Sequence, residues 1–137
     1  MKTVVCIDTG IVTQYYSESP PDEILNLMNK IKNKEFIAHF IHPLLVEVYY
    51  HICKLLGKTQ AEVRVASFLS HIPVKLISLN RSLVFKAGEL KCSYSKILSY
   101  NDCLIIAHVL NRKITLHTTE KNLQKFFPHI KVKEYTF

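Results

Sequence analysis

Residues 3–10 run Thr-Val-Val-Cys-Ile-Asp-Thr-Gly. The first five form an apolar, β-branched stretch with no polar alternation. Such a run suits a strand covered on both faces, which is the environment of a parallel sheet packed between helices. Asp8-Thr9-Gly10 breaks it, and a short helix is expected through Tyr16. Outward from there the same alternation repeats. Ser17–Pro21 is a turn. From Asp22 the apolar residues at 24, 25, 27, 28 and 31 keep helical spacing, with acids at the start and lysines at the end as the helix dipole prefers. Phe36–Ile41 reads as a second strand. Pro43 opens a helix that runs to about Leu56 and stops at Gly57. Thr59 to Glu62 has the form of a capping box and predicts a further helix to about His71, so that the two helices make a hairpin. Val74–Leu79 is a third strand, and Asn80 caps a helix to about Cys92. After a polar loop over 93–98, Ser99 starts a helix to about Asn111. Ile114–His117 is a fourth strand, Glu120–Phe127 a short helix, and Ile130–Glu134 a last strand or edge. Strands alternating with helices predict an α/β fold with a mainly parallel central sheet flanked by helices. In open sheets of this kind the functional crevice lies beyond the carboxyl ends of the strands, and that is where Asp8 falls.

The 137 residues suit one domain, 1–137, and 48% apolar residues are enough for a packed interior. The net charge is +7. Four acids reserved for a pocket leave seven to face 18 Lys and Arg, so the remaining surface carries +11. A basic exterior around an acidic cleft fits a polyanion whose reacting phosphate must meet a metal; a basic surface serving only solubility is the plainer alternative. Cys6, Cys53, Cys92 and Cys103 show neither CxxC spacing nor a neighbouring His at zinc-ligand spacing, and are read as reduced thiols of a cytoplasmic protein. No signal peptide is recognised, and no apolar stretch reaches the ~18 residues of a membrane span.

Asp8, Glu47, Asp102 and Glu120 each stand beside an apolar run. A fold that gathered them would crowd like charges, and a hard divalent cation such as Mg²⁺ with its preference for oxygen ligands would resolve the conflict. The pattern points to a metal-dependent enzyme acting on phosphate esters, RNA foremost. Each acid has an ordinary reading as well. Asp8 can cap the helix after it. Glu47 can be a solvated helix residue sharing a face with His51 and Lys54. Asp102 completes Ser99-Tyr100-Asn101-Asp102, an S-x-x-D capping box, at the rim of a face that also holds Ile105 and Ile106. Glu120 can be a first-turn acid. Thr118 supplies a hydroxyl that could orient a water or cap a helix, and is taken as a substrate-binding residue.

Four segments together resemble the PIN domain family, and within it the VapC-type toxin ribonucleases. They are Val4–Val12 with its strand, Asp and hydroxyl residue; Pro43–Val48 with its helical Glu; Leu98–Ala107, the most specific, with Asp102; and Thr115–Glu120, a strand followed by Thr-x-acid. The resemblance covers almost the whole chain. It implies a Rossmann-like three-layer sandwich, endoribonuclease activity dependent on Mg²⁺ or Mn²⁺, homodimers, and a small antitoxin protein as partner. Glu120 stands where Asp is commoner, Gly10 where Ser or Thr is frequent, and His108, read as packing or surface, where a small residue is usual.

The expected mechanism has Asp8, Glu47 and Asp102 holding one cation, with Glu120 aiding a second ion or orienting the attacking water. Tyr15, Tyr16 and Tyr94 are candidates for stacking on unpaired bases, with core packing the equal alternative. The hairpin from Pro43 to His71 shows apolar residues on more than one face, Tyr49, Tyr50, Val63, Val65 and Phe68 among them, which suits a dimer or a bound helix. The rival class is a PIN-like module that binds RNA or protein and cleaves nothing. A phosphoryl enzyme using Asp8 as nucleophile would want a second acid at position 10, which is Gly.

Overall fold

The computed structural model describes residues 2–137. Its centre is a five-stranded sheet in the order β3-β2-β1-β4-β5, and every adjacent pair is parallel. The strands are β1 (Thr3–Ile7), β2 (Phe36–Ile41), β3 (Lys75–Ile77), β4 (Thr115–Thr118) and β5 (Val132–Glu134). The helices are α1 (Thr9–Tyr15), α2 (Asp22–Lys32), α3 (Leu45–Leu56), α4 (Lys58–His71), α5 (Arg81–Ser93), α6 (Tyr100–Arg112) and the short α7 (Leu123–Phe126). They flank the sheet in a PIN-like three-layer sandwich. The apolar β1 run behaves as its composition requires: Val5, Cys6 and Ile7 are buried, as are Ala38, Phe40 and Ile41 of β2 beside it.

The chain leaves β1 toward β2 and β3 on one side and later returns to lay β4 and β5 on the other. The order therefore reverses next to β1, and the ends of β1 and β4 flank a switch point where open sheets form their crevice. Asp8 follows β1 directly, and its N–H donates to the His117 carbonyl of β4 at 3.2 Å.

Several boundaries differ from those read in the sequence. Pro43 sits in a 3-10 turn (His42–Leu44), and regular helix begins only at Leu45. The capping box expected at Thr59 does not form. Gly57, at φ 90°, ends α3 and also serves as the N-cap of α4, so Thr59 already lies in the first turn. A left-handed glycine lets two helices meet across one residue and leaves no place for a side-chain cap. β3 is trimmed to three residues because it is an edge strand paired only with β2. Glu120 precedes α7, which starts at Leu123, so it belongs to a loop and not to a helical turn.

The tyrosines pack. Tyr15 and Tyr16 meet edge to face, Tyr16 donates to Ser67, and Tyr94 stacks edge to face on Phe127. Among the hairpin residues Phe68 is fully buried, while Tyr50 and Val63 are exposed. All four cysteines are free thiols, with Cys6 and Cys103 buried. Among the described residues no helix is long and apolar enough to cross a membrane.

A candidate acidic active site at the carboxyl ends of β1 and β4

Asp8, Glu47, Asp102 and Glu120 all line one cleft of about 270 Å³, together with Thr9, Gly10, His51, Asn101, Ile105 and Thr119. Four carboxylates separated by more than a hundred residues of chain thus reach one place, each delivered by a different element.

Asp8 is the most fixed of them. It is 4% exposed. Its Oδ1 accepts the Ile11 N–H at 3.1 Å, which makes it the N-cap of α1. Its Oδ2 accepts the Thr118 hydroxyl and the Thr119 N–H, the latter at 3.3 Å. Capping and site membership are therefore both true of this residue, through different oxygens. Burial pushes its carboxyl up to about 6; the hydrogen bonds from Thr118, Ile11 and Thr119 pull it back, and the charge of Glu120 adds to the rise.

Glu47 leaves α3 half-buried, with both oxygens engaged. Thr9 donates to Oε1 and the Asn101 side-chain amide donates to Oε2, while His51 one turn on brings its Nε2 to 3.9 Å. The solvated-helix reading of Glu47 is thereby replaced by a clasp from the starts of α1 and α6. Asp102 lies in the first turn of α6 and completes the capping box: its N–H donates to the Ser99 hydroxyl at 3.1 Å, and its Oδ2 accepts the Ser99 N–H at 3.3 Å. Ile105 and Ile106 are buried on its face of the helix, as their spacing predicts. Glu120 hangs from the loop after β4. The residue is exposed at the mouth of the cleft, and partial desolvation first, then the charges of Asp102 and Glu47, raise its carboxyl, so the three acids share one field.

Thr118 differs from its expected role. It is fully buried, its hydroxyl donates to Asp8 and accepts the Glu120 N–H at 2.9 Å, and it does not line the cleft. It orients the Asp8 carboxylate and pins the Glu120 backbone, and its burial closes it off from a substrate in the cleft. His108 is buried against His39, Nε2 to Nδ1 at 3.0 Å, in agreement with a packing role. Sequence reasoning missed Thr9, Asn101 and Thr119. The first two hold Glu47 and the third holds Asp8, across 38, 54 and 111 residues of chain respectively. No local spacing rule reaches contacts of that separation.

The donor set suits a hard divalent cation, since hard oxygen ligands predominate and the like-charge strain on Asp8 and Glu120 would be relieved by one. The side chains are not closed around a common point: among the described residues no three His, Cys, Asp or Glu side chains stand arranged to hold a metal ion. Glu47 and Asp102 spend oxygens on neighbouring donors instead.

The chain resembles VapBC2 from Rickettsia felis, solved bound to a DNA fragment from its promoter, with a TM-score of 0.77 and 22% identity over 98% of this chain and 100% of that one. It resembles VapC20 of Mycobacterium tuberculosis, a toxin that cleaves the sarcin–ricin loop, with a TM-score of 0.71 and 14% identity over 90% and 94% of the two chains. DNA-bound VapBC from Salmonella typhimurium gives 0.69 and 20% identity over 99% and 100%. At such identities these likenesses speak for the fold. The comparison with curated proteins returns no match. The family model of the PIN domain matches residues 5–126, and the chain belongs to the PIN domain family.

Proposed function

We propose that this protein is a Mg²⁺- or Mn²⁺-dependent endoribonuclease that hydrolyses RNA phosphodiester bonds, and that it is the toxin of a VapBC-type pair. The observation that carries the reading is the convergence of four carboxylates in one cleft of a protein whose net charge is +7. An acidic pocket has no business with a polyanion unless a cation mediates between them, and the surrounding positive charge supplies attraction for the rest of the strand.

Asp8, Glu47 and Asp102 would hold the cation, with Glu120 beside them. Bound there, the ion would make a water molecule more acidic and withdraw charge from the scissile phosphate. The chain's own part is orientation. Thr118 and the Thr119 N–H aim Asp8, Thr9 and Asn101 aim Glu47, and Ser99 steadies Asp102 at the start of α6. Each carboxylate oxygen has two lone pairs, so Asp102 and Glu47 can meet a cation while keeping the hydrogen bonds that orient them. RNA, a homodimeric partner, a small antitoxin and a cytoplasmic setting belong to the same proposal. The similar VapBC structures, together with a toxin–antitoxin complex from Klebsiella pneumoniae, support the antitoxin.

The test is incubation of purified protein with structured RNAs in Mg²⁺, Mn²⁺ or chelator, beside Asp102→Asn. Cleavage that needs metal and disappears in the variant supports the reading; cleavage surviving both chelation and substitution rejects the site. Growth arrest on expression, relieved by the same substitution, distinguishes a toxin from a housekeeping nuclease. One observation favours a second reading, a PIN-like module that binds RNA or protein without cutting: the acids are not pre-arranged as a ligand set. Calorimetry with Mn²⁺ separates the two, because the binding module takes up no ion in the cleft.

A further inference from the structure

Gly10 is the second residue of α1 and lines the cleft. Its backbone lies outside the left-handed region, since the one glycine at positive φ is Gly57. Nothing in the backbone therefore asks for glycine here, and within a helix alanine would be preferred. Space explains the choice. A Cβ built on residue 10 would lie 2.0 Å from the Thr119 hydroxyl oxygen, 3.1 Å from its Cβ and 3.2 Å from its Cγ2. The whole Thr119 side chain is nested in the gap that the missing side chain leaves. Helix start and β4 exit, 109 positions apart, meet as a knob in a notch.

The contact sits where it can matter. The Thr119 N–H donates to Asp8 Oδ2 at 3.3 Å. Thr118, one residue earlier, donates to the same oxygen and accepts the Glu120 N–H at 2.9 Å. The loop from 118 to 120 is thus stitched to Asp8 by polar contacts, and the seating of Thr119 on Gly10 sets how closely that loop approaches α1. Asp8 and Glu120 lie on either side of this seam.

We infer that Gly10 and Thr119 form a matched pair that fixes the Glu120 loop against the start of α1, which makes Thr119 a positioning residue for the acidic cleft. The functional half of this inference rests on the metal-dependent reading above; the packing half does not. Residue 10 cannot carry a side chain while residue 119 carries one, and the two positions can exchange the volume between them.

The experiment is a double-mutant cycle on the full chain, read by thermal unfolding without metal and by Mn²⁺ calorimetry. Gly10→Ala alone should lower Tm and weaken Mn²⁺ binding about tenfold, a change of about 1.4 kcal/mol. Thr119→Gly alone should weaken Mn²⁺ binding by leaving the loop unseated, whereas Thr119→Ser, which keeps the hydroxyl, should bind Mn²⁺ like the natural protein. In the double variant Gly10→Ala/Thr119→Gly the new methyl fills the vacated space, and both Tm and Mn²⁺ affinity should recover toward the natural values. If Gly10→Ala alone does not fold, rescue of folded protein by the added Thr119→Gly change is the same result read as yield. Effects that simply add in the double variant, or a double variant that fails to fold as well, overturn the pairing. Recovery of Tm without recovery of Mn²⁺ affinity overturns the positioning role. Natural protein that takes up no Mn²⁺ in the cleft overturns the nuclease reading, and with it that role, while the Tm cycle still decides the pairing.

Discussion

Asp8 stores an electrostatic cost that can be read through pH. Its carboxyl titrates at about 6 in the fold against 3.8 for an unperturbed aspartate, because burial outweighs the three hydrogen bonds it accepts. A group raised by folding adds stability below its unfolded value and loses it as pH rises through the folded value. Ionised Asp8 therefore costs the metal-free protein on the order of 2–3 kcal/mol above pH 6. His39 and His117 act in the opposite sense. Burial lowers each to about 4, helped by His108 and Arg112 for the first and by Lys133 and Lys30 for the second, so their share of stability disappears as pH falls from 6.5 toward 4. Two histidines outweigh one aspartate, and the natural protein should lose Tm on acidification through that window. Asp8→Asn trades the strained charge for an amide NH2 set against a backbone N–H, Thr119 or Ile11, so the test is its pH dependence: it should lose stability more steeply than the natural protein below pH 6, since the compensating gain is gone. A Tm difference between the two proteins that stays constant from pH 7.5 to 4.5 would refute the strained carboxylate. Glu47 gives a second prediction at this scale. Asn101→Ala or Thr9→Ala releases one oxygen from its clasp, and RNA cleavage should fall about tenfold with the fold intact, as for other residues that only orient a ligand side chain. Unchanged cleavage in both would mean that Glu47 needs no orienting.

At the scale of elements, α6 does two jobs with one carboxylate. Its Ser99–Asp102 capping box satisfies the free N–H groups of the first turn, and the same Asp102 faces the cleft. Ser99→Ala should cost about 1 kcal/mol of stability and leave cleavage largely in place. Asp102→Asn keeps an oxygen able to accept the Ser99 N–H, so it should unfold close to the natural Tm yet abolish cleavage. Loss of stability without loss of activity in the Asp102 variant would reduce this residue to a cap. The contrast between α6 and α4 shows what was legible in the sequence. Both carried a capping-box signature, but only that at Ser99 forms, because Gly57 had already turned the chain and started α4 before Thr59 could cap it. The β1 and β2 runs were legible because β-branched and apolar residues uninterrupted by polar ones have few other uses. The end of β4 was not, since the chain continues one residue past His117 to make Thr118 a buried strut. The four acids could be named because each abuts an apolar element. The polar groups that hold them could not, because Thr9, Asn101 and Thr119 look like ordinary helix-start or loop residues until the sheet brings them beside partners far along the chain.

At the scale of the whole molecule the charge is divided into an acidic cleft and a basic remainder. If this surface holds RNA as proposed, binding there would displace counterions and so weaken steeply as salt rises. The cleft would work the other way: a divalent ion taken up among Asp8, Glu47 and Asp102, which are buried or half-buried, would be screened far less than exposed charges are. The two parts should therefore separate in one experiment. Raising NaCl from about 50 to 200 mM should increase KM for an RNA of some twenty nucleotides about tenfold or more. A dinucleotide that reaches only the scissile phosphate should respond weakly, and kcat for both should change little. Equal salt dependence for long and short substrates would mean that the basic surface does not hold the strand. A kcat that falls as steeply as the affinity would place the salt-sensitive step in the cleft itself, and the division of labour between acidic centre and basic surround would be wrong.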